Sequence, residues 1–197
     1  MAKPAPDTRQ IILQAALKQF AQKGYAGTSV QEIVDAARVT KPALYYHFKD
    51  KADLYRALVE WAFEERFRIM QEAVAGGGGL VRQLTEICAG SFAFIQKNRD
   101  LTRLAYATAF AAKGEVPVEA QCFQRGKRNF DLVHDLFKQA AAAGDLGRQF
   151  DPEEMAMSFV GVLNFHVMVF LIGAENPLNR RTAQRIVELF LAGAKAS

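Results

Sequence analysis

Only two residues, Arg38 and Val39, separate two amphipathic runs near the start of this chain. Upstream, Val30, Ile33, Val34 and Ala37 recur at the i, i+3, i+4, i+7 spacing that places them on one face of a helix. Downstream, Leu44 and Phe48 stand four apart behind Thr40, a fresh N-cap, and Pro42, which the first turn of a helix tolerates. So short a gap makes the two helices a helix-turn-helix. In that arrangement the earlier helix lies across phosphates and the later one is free to enter a major groove.

The rest of the chain reads as helix as well. Asp7 with Gln10 predicts a capping box opening helix one, whose Ile12, Ala16 and Phe20, with Leu13 and Leu17, make one apolar stripe. Gly24 is expected to stop it in the left-handed C-cap conformation. Thr28 or Ser29 caps helix two, with Glu32 three after Ser29. Asp50 caps a long helix four, with Leu54, Leu58 and Trp61 facing inward. Beyond the break at Gly76–Gly79, helices are expected over 80–97, 101–112, 118–143, 152–174 and 178–195. No strand-like alternation and no internal repeat stand out. The expected fold is all-α: an N-terminal three-helix DNA-binding unit over 1–50, linked by a long helix to a C-terminal helical domain over 51–197.

Composition narrows the class. The 197 residues are 50% hydrophobic, enough to bury a core. Cys88 and Cys122 lie 34 residues apart with no CxxC pattern, which argues for a reducing cytoplasm and against a disulfide scaffold or zinc finger. Met1 to Asp7 lacks the apolar run of a signal peptide. Met155 to Ala174 holds no Lys, Arg, Asp or Glu, so its length admits a transmembrane helix. Its Ser158, Gly161, Asn164, His166 and Gly173, beside otherwise amphipathic helices, favour a helix buried on all sides instead. Residues 1–60 carry nine basic groups against six acidic ones, leaving +3 of the chain's +4 on this segment. That bias suits a polyanion partner.

The segment Thr28-Ser-Val-Gln-Glu-Ile-Val-Asp-Ala-Ala-Arg-Val-Thr-Lys-Pro-Ala-Leu-Tyr-Tyr-His-Phe48, followed by Lys49-Asp-Lys51, closely resembles the signature of the tetracycline-repressor (TetR/AcrR) family of bacterial regulators. The run Ala16-Leu-Lys-Gln-Phe-Ala-Gln-Lys-Gly-Tyr25 is similar to that family's first helix. The resemblance spans roughly residues 8–60. It implies that Thr28, Lys41, Tyr45, Tyr46, His47 and Lys51 contact DNA. It also implies a homodimer that pairs its last two long helices, here 152–174 and 178–195, across a two-fold axis. Where the family usually has glycine in the turn, this chain has Arg38, at a cost on the order of 1 kcal/mol if the left-handed conformation is kept.

Taken singly, the residues of helix three support the same chemistry. With Leu44 and Phe48 inward, Lys41 and Tyr45 turn outward with part of Pro42 and Ala43. Lys41 can reach a guanine edge or a phosphate, Pro42 and Ala43 suit a thymine methyl, and Tyr45 can stack or hydrogen-bond. Tyr46 and His47 lie to the side, where they meet phosphates; Thr28 and Lys51 offer further donors beside helix N-termini. Arg38 either touches a phosphate or reshapes the turn, and Thr40 caps the helix.

In the C-terminal part, Phe92, Tyr106, Phe110, Phe123, Asn164 and His166 are the candidates for an effector pocket, most other phenylalanines there being core. Asn164 and His166 need hydrogen-bond partners in their apolar helix. Asp131, His134 and Asp135 lack a second cluster and read as a solvated face, so no metal or other cofactor is expected. No nucleophile-elbow, phosphate-loop or HExxH pattern occurs, so the chain is not read as an enzyme. The expected partners are palindromic double-stranded DNA, a small, apolar effector and a second copy of the chain, with no membrane. Alternatives left open are an effector-independent activator or architectural protein, and a small-molecule-binding helical protein with a vestigial helix-turn-helix.

Overall fold

The computed structural model describes residues 7–117, 119–147, 149–173 and 177–193, with all their side chains except those of 119–123. Among the described residues there are nine helices and no strand: α1 (Thr8–Lys23), α2 (Val30–Ala37), α3 (Lys41–His47), α4 (Lys51–Ala75), α5 (Gly79–Lys97), α6 (Arg99–Ala109), α7 (Glu119–Ala143), α8 (Pro152–Leu171) and α9 (Arg180–Ala192). They form two compact units, one of Met1–Phe63 with Asp100–Phe123 and one of Glu64–Arg99 with Gln124–Ser197.

Local chemistry explains most helix boundaries. Ser29 and Glu32 form a full capping box on α2: the Ser29 hydroxyl accepts from Glu32 N–H at 3.2 Å and Glu32 Oε2 accepts from Ser29 N–H at 2.8 Å. Thr40 Oγ1 accepts from Ala43 N–H at 3.3 Å, and Asp50 Oδ1 from Asp53 N–H at 2.7 Å. Asp151 caps α8 by accepting from Glu153 and Glu154 N–H, with Pro152 in the first turn. Two expectations differ in detail. Asp7 caps α1 through Arg9 N–H at 3.4 Å rather than through a box with Gln10, whose N–H donates to the Asp7 carbonyl. Gly24 does stop α1, but at φ 73°, ψ 176°, a region open almost only to glycine, instead of the left-handed helical one.

In the first unit Ile12, Ala16, Phe20, Ile33, Val34, Leu44, Phe48, Leu54 and Leu58 are all buried. Tyr55 joins them, edge-on to Phe20 and Tyr25. Its hydroxyl donates to Thr108 Oγ1 at 2.7 Å, because the Thr108 hydroxyl proton is already given to the Leu104 carbonyl. That bond ties α6 to the first part of α4. Trp61 is 38% exposed, not inward. The buried stripe of α4 runs through Leu54, Tyr55, Leu58, Val59 and Ala62, and Trp61 falls on its margin.

In the second unit α5 and α9 share a long contact, fastened by Arg180 on Glu86. Gly90 lets α4 and α5 approach closely: a Cβ there would lie 2.6 Å from Ile69 Cγ2. Helix α8 buries Met155, Ala156, Phe159, Leu163, Val167 and Leu171. It is not enclosed on all sides, since Met157, Val162, Phe165, Met168 and Ile172 form an exposed apolar stripe. By length and composition α8 is also apolar enough to cross a bilayer.

Candidate nucleic-acid interface

Every feature of α3 follows from which of its residues are anchored. Leu44 is fully buried and Phe48, its C-cap, nearly so, with the Arg9 guanidinium 5.2 Å above the Phe48 ring. With that side held down, the opposite edge faces solvent: Lys41 and Pro42 are exposed, Tyr45 is 51% exposed and Tyr46 86%. Ala43 and His47 are half-buried, and the His47 ring meets Tyr46 edge-on at 5.0 Å. Two exposed tyrosines beside a lysine are costly to leave in water and useful against base edges and phosphates.

Arg38 is the one described non-glycine residue with positive φ, at φ 55°, ψ 42°. It ends α2 in a Schellman motif: its N–H donates to the Asp35 carbonyl at 3.2 Å and Val39 N–H reaches back to Val34 at 3.0 Å. The turn therefore keeps the left-handed geometry without glycine, and the exposed Arg38 side chain stands at its corner.

Thr28 and Lys51 are placed otherwise. Thr28 is 2% exposed and its hydroxyl donates to the Gly24 carbonyl at 2.8 Å. Lys51 Nζ donates to the carbonyls of Tyr25 and Thr28 at 2.8 and 2.9 Å and sits 4.3 Å over the Tyr25 ring. Lys51 thereby binds the α1–α2 loop to the start of α4, while Thr28 closes that loop on itself. Spacing from helix starts shows only that a donor is near an N-terminus; competition from loop carbonyls for that donor is invisible in it.

The acidic residues of this unit are mostly spent on local bonds. Asp7, Glu32, Asp50 and Asp53 each accept a backbone N–H. Lys23 also pairs with Glu32, and that hydrogen bond, with those from Ser29, holds the Glu32 carboxyl down at about 2. Among the described residues neither Arg38 nor Lys41 is paired with a carboxylate, so their charges stay available at the turn and α3.

The pocket candidates are divided between the two units. Tyr106 and Phe110 belong to the first unit, where Phe110 is 85% exposed just past α6. Phe92, Asn164 and His166 belong to the second, with Phe92 fully buried. Phe123 lies outside the residues whose side chains are described. A groove of about 220 Å³, lined by Phe150, Asp151, Glu154, Met155, Ser158, Phe190 and Gly193, contains none of the candidates.

Residues 12–58 match the family profile described as bacterial regulatory proteins, tetR family. Over that stretch the chain is similar to TetR-family regulators. It is 52% identical over 56 residues to the HTH-type transcriptional regulator AcrR of Shigella flexneri, a match covering 28% of this chain but only 26% of that protein. It is 28% identical over 184 residues to the transcriptional regulator AcuR of Cereibacter sphaeroides, covering 79% of this chain and 74% of that one. Among solved structures, AibR in complex with isovaleryl coenzyme A and operator DNA superposes with a TM-score of 0.72 at 24% identity, over 93% of this chain and 97% of that one. That last likeness speaks to the fold alone. Within the TetR family match lie α2, the turn and the whole of α3.

Proposed function

We propose that the chain is a cytoplasmic, homodimeric transcriptional repressor that holds a palindromic operator and lets go when a small, apolar effector binds. The observation that carries this reading is the anchored α3, with Leu44 buried and Lys41, Tyr45 and Tyr46 outward. DNA binding resides in residues 1–50, and effector binding and dimerisation in 51–197. Lys41 reads a base edge or phosphate, Pro42 and Ala43 approach a thymine methyl, Tyr45 stacks or hydrogen-bonds, and Tyr46, His47 and Arg38 reach phosphates. Thr40 holds the helix end that presents them. Lys51 acts from behind, by fixing the loop against α4, and Thr28 by closing the loop on itself.

The exposed stripe of α8 supports the dimer. Five large apolar side chains at helical spacing cost least when a second copy covers them about a two-fold axis, with α9 alongside. Two copies then set their α3 helices about 34 Å apart, or a multiple of that, which requires a palindrome. Effector binding selects a conformation with the wrong spacing, and α4, whose residues belong to both units, carries the change. By linkage, DNA weakens effector binding by the same factor, a coupling of about 1–3 kcal/mol.

Footprinting on DNA flanking the chain's own gene tests the proposal. One or a few protected palindromes are expected, lost on Lys41→Ala with Tyr45→Ala at unchanged helicity. Broad coating of DNA would instead mark an architectural protein. Undiminished activity without operator binding would mark the helix-turn-helix as vestigial.

A further inference from the structure

Five buried polar side-chain atoms find no hydrogen-bond partner among the described residues, and four of them lie in the second unit: Arg66 Nε, Ser91 Oγ, Arg128 Nε and Asn129 Oδ1. They come from three helices, yet they share one level. Helices α4 and α5 run antiparallel, with Gln83 Nε2 donating to the Val74 carbonyl at 3.3 Å and Gly90 against Ile69. One more turn brings Arg66 level with Ser91 and Phe92. On α7, Arg128 stacks 4.0 Å over the Phe67 ring and donates to Glu64 at 3.0 Å, which sets Asn129 beside the same stretch of α4. From α8, Asn164 Oδ1 accepts a long bond from Arg66 Nη2 at 3.5 Å.

No carboxylate among the described residues pairs with Arg66. Around this level Cys88, Phe92 and Leu163 are buried, and Arg66, half-buried as a whole, has its Nε–H sealed from solvent and unpartnered. Such an arrangement is unfavourable unless an anion completes it. Arg66 Nε–H, Ser91 O–H and Arg128 Nε–H are donors; the Asn129 amide offers either sense. A carboxylate uses two oxygens against such a set, and the adjoining Phe92 and Leu163 accept hydrocarbon.

We propose that the second unit binds a small carboxylate with a hydrocarbon body, its head held by Arg66 with Ser91 and Asn129, and that this anion is the effector. The assignment rests on the effector reading above and sharpens it from an apolar molecule to an acid.

The test uses the full chain and straight-chain carboxylates from acetate to octanoate, with the matching primary amides and inorganic phosphate, read by thermal shift, calorimetry and operator release. Some carboxylates are expected to raise Tm and free the operator, while amides and phosphate do neither. Arg66→Met is expected to lose carboxylate affinity by at least about tenfold while its ligand-free Tm stays level or rises. Should that variant not fold, Arg66→Lys, which keeps the charge and moves the donors, is expected to lose affinity by a smaller factor. Amides binding as well as acids, phosphate acting alone, unchanged affinity in the variant that folds, or no carboxylate bound at millimolar concentration each overturn the assignment. A neutral compound that frees the operator while no acid binds sinks the assignment and leaves the effector reading standing. A carboxylate that binds through Arg66 without affecting the operator keeps the binding site but overturns its assignment as the effector.

Discussion

At Arg38 the chain accepts strain that glycine would avoid. A left-handed non-glycine residue costs on the order of 1 kcal/mol, and Arg38→Gly relieves it while keeping the Schellman bonds. We expect Arg38→Gly to raise unfolding stability by up to about 1 kcal/mol in urea titration, and Arg38→Val to lower it by more. If Arg38 touches a phosphate, the glycine variant binds operator more weakly, with a salt slope smaller by about one. Lys51 makes the opposite case, a residue whose resemblance-based role and placement differ. Its two bonds to loop carbonyls predict that Lys51→Met loses about 1–3 kcal/mol of stability, seen as a lower urea midpoint at unchanged slope. A variant of full stability that only binds DNA less well would return Lys51 to a purely phosphate-contacting role. Nothing in local spacing distinguishes these outcomes, because the acceptors of Lys51 lie 23 and 26 residues upstream.

Among the elements, α2 shows how much of a helix can be read from its ends. Ser29, Glu32 and the stripe of Ile33, Val34 and Ala37 all behave as their spacing implies. Glu32 adds a pH dependence. Its carboxyl is held at about 2, below the value in the unfolded chain, so the ionised form favours folding. Its contribution is complete above about 4.5 and disappears as pH falls toward 2. Urea midpoints between pH 2 and 7 should therefore drop on the acid side, and Glu32→Gln should flatten part of that drop; an identical acid limb in both proteins would remove Glu32 as its cause. Helix α8 was less legible. Its uncharged run signalled burial but not by what, and only the structure separates Leu163 and Val167, inside, from Phe165 and Met168, outside.

For the whole molecule, the exposed stripe of α8 yields a further expectation. Phe165→Glu, which puts a charge at a 60% exposed position, leaves the isolated chain's fold alone but opposes a second copy. Sedimentation should show monomers, and operator affinity should collapse because one α3 reads only a half-site. A dimer that persists would place the interface elsewhere. Helix order, caps and the inward face of α3 were set by the sequence alone, since they depend on neighbours three or four positions apart. Folding in three dimensions decided that Thr28 and Lys51 turn inward, that Trp61 sits at a margin, and that Arg66, Ser91 and Asn129 share one level. Those outcomes depend on which distant acceptor or helix reaches a side chain first, and linear spacing carries no such distance.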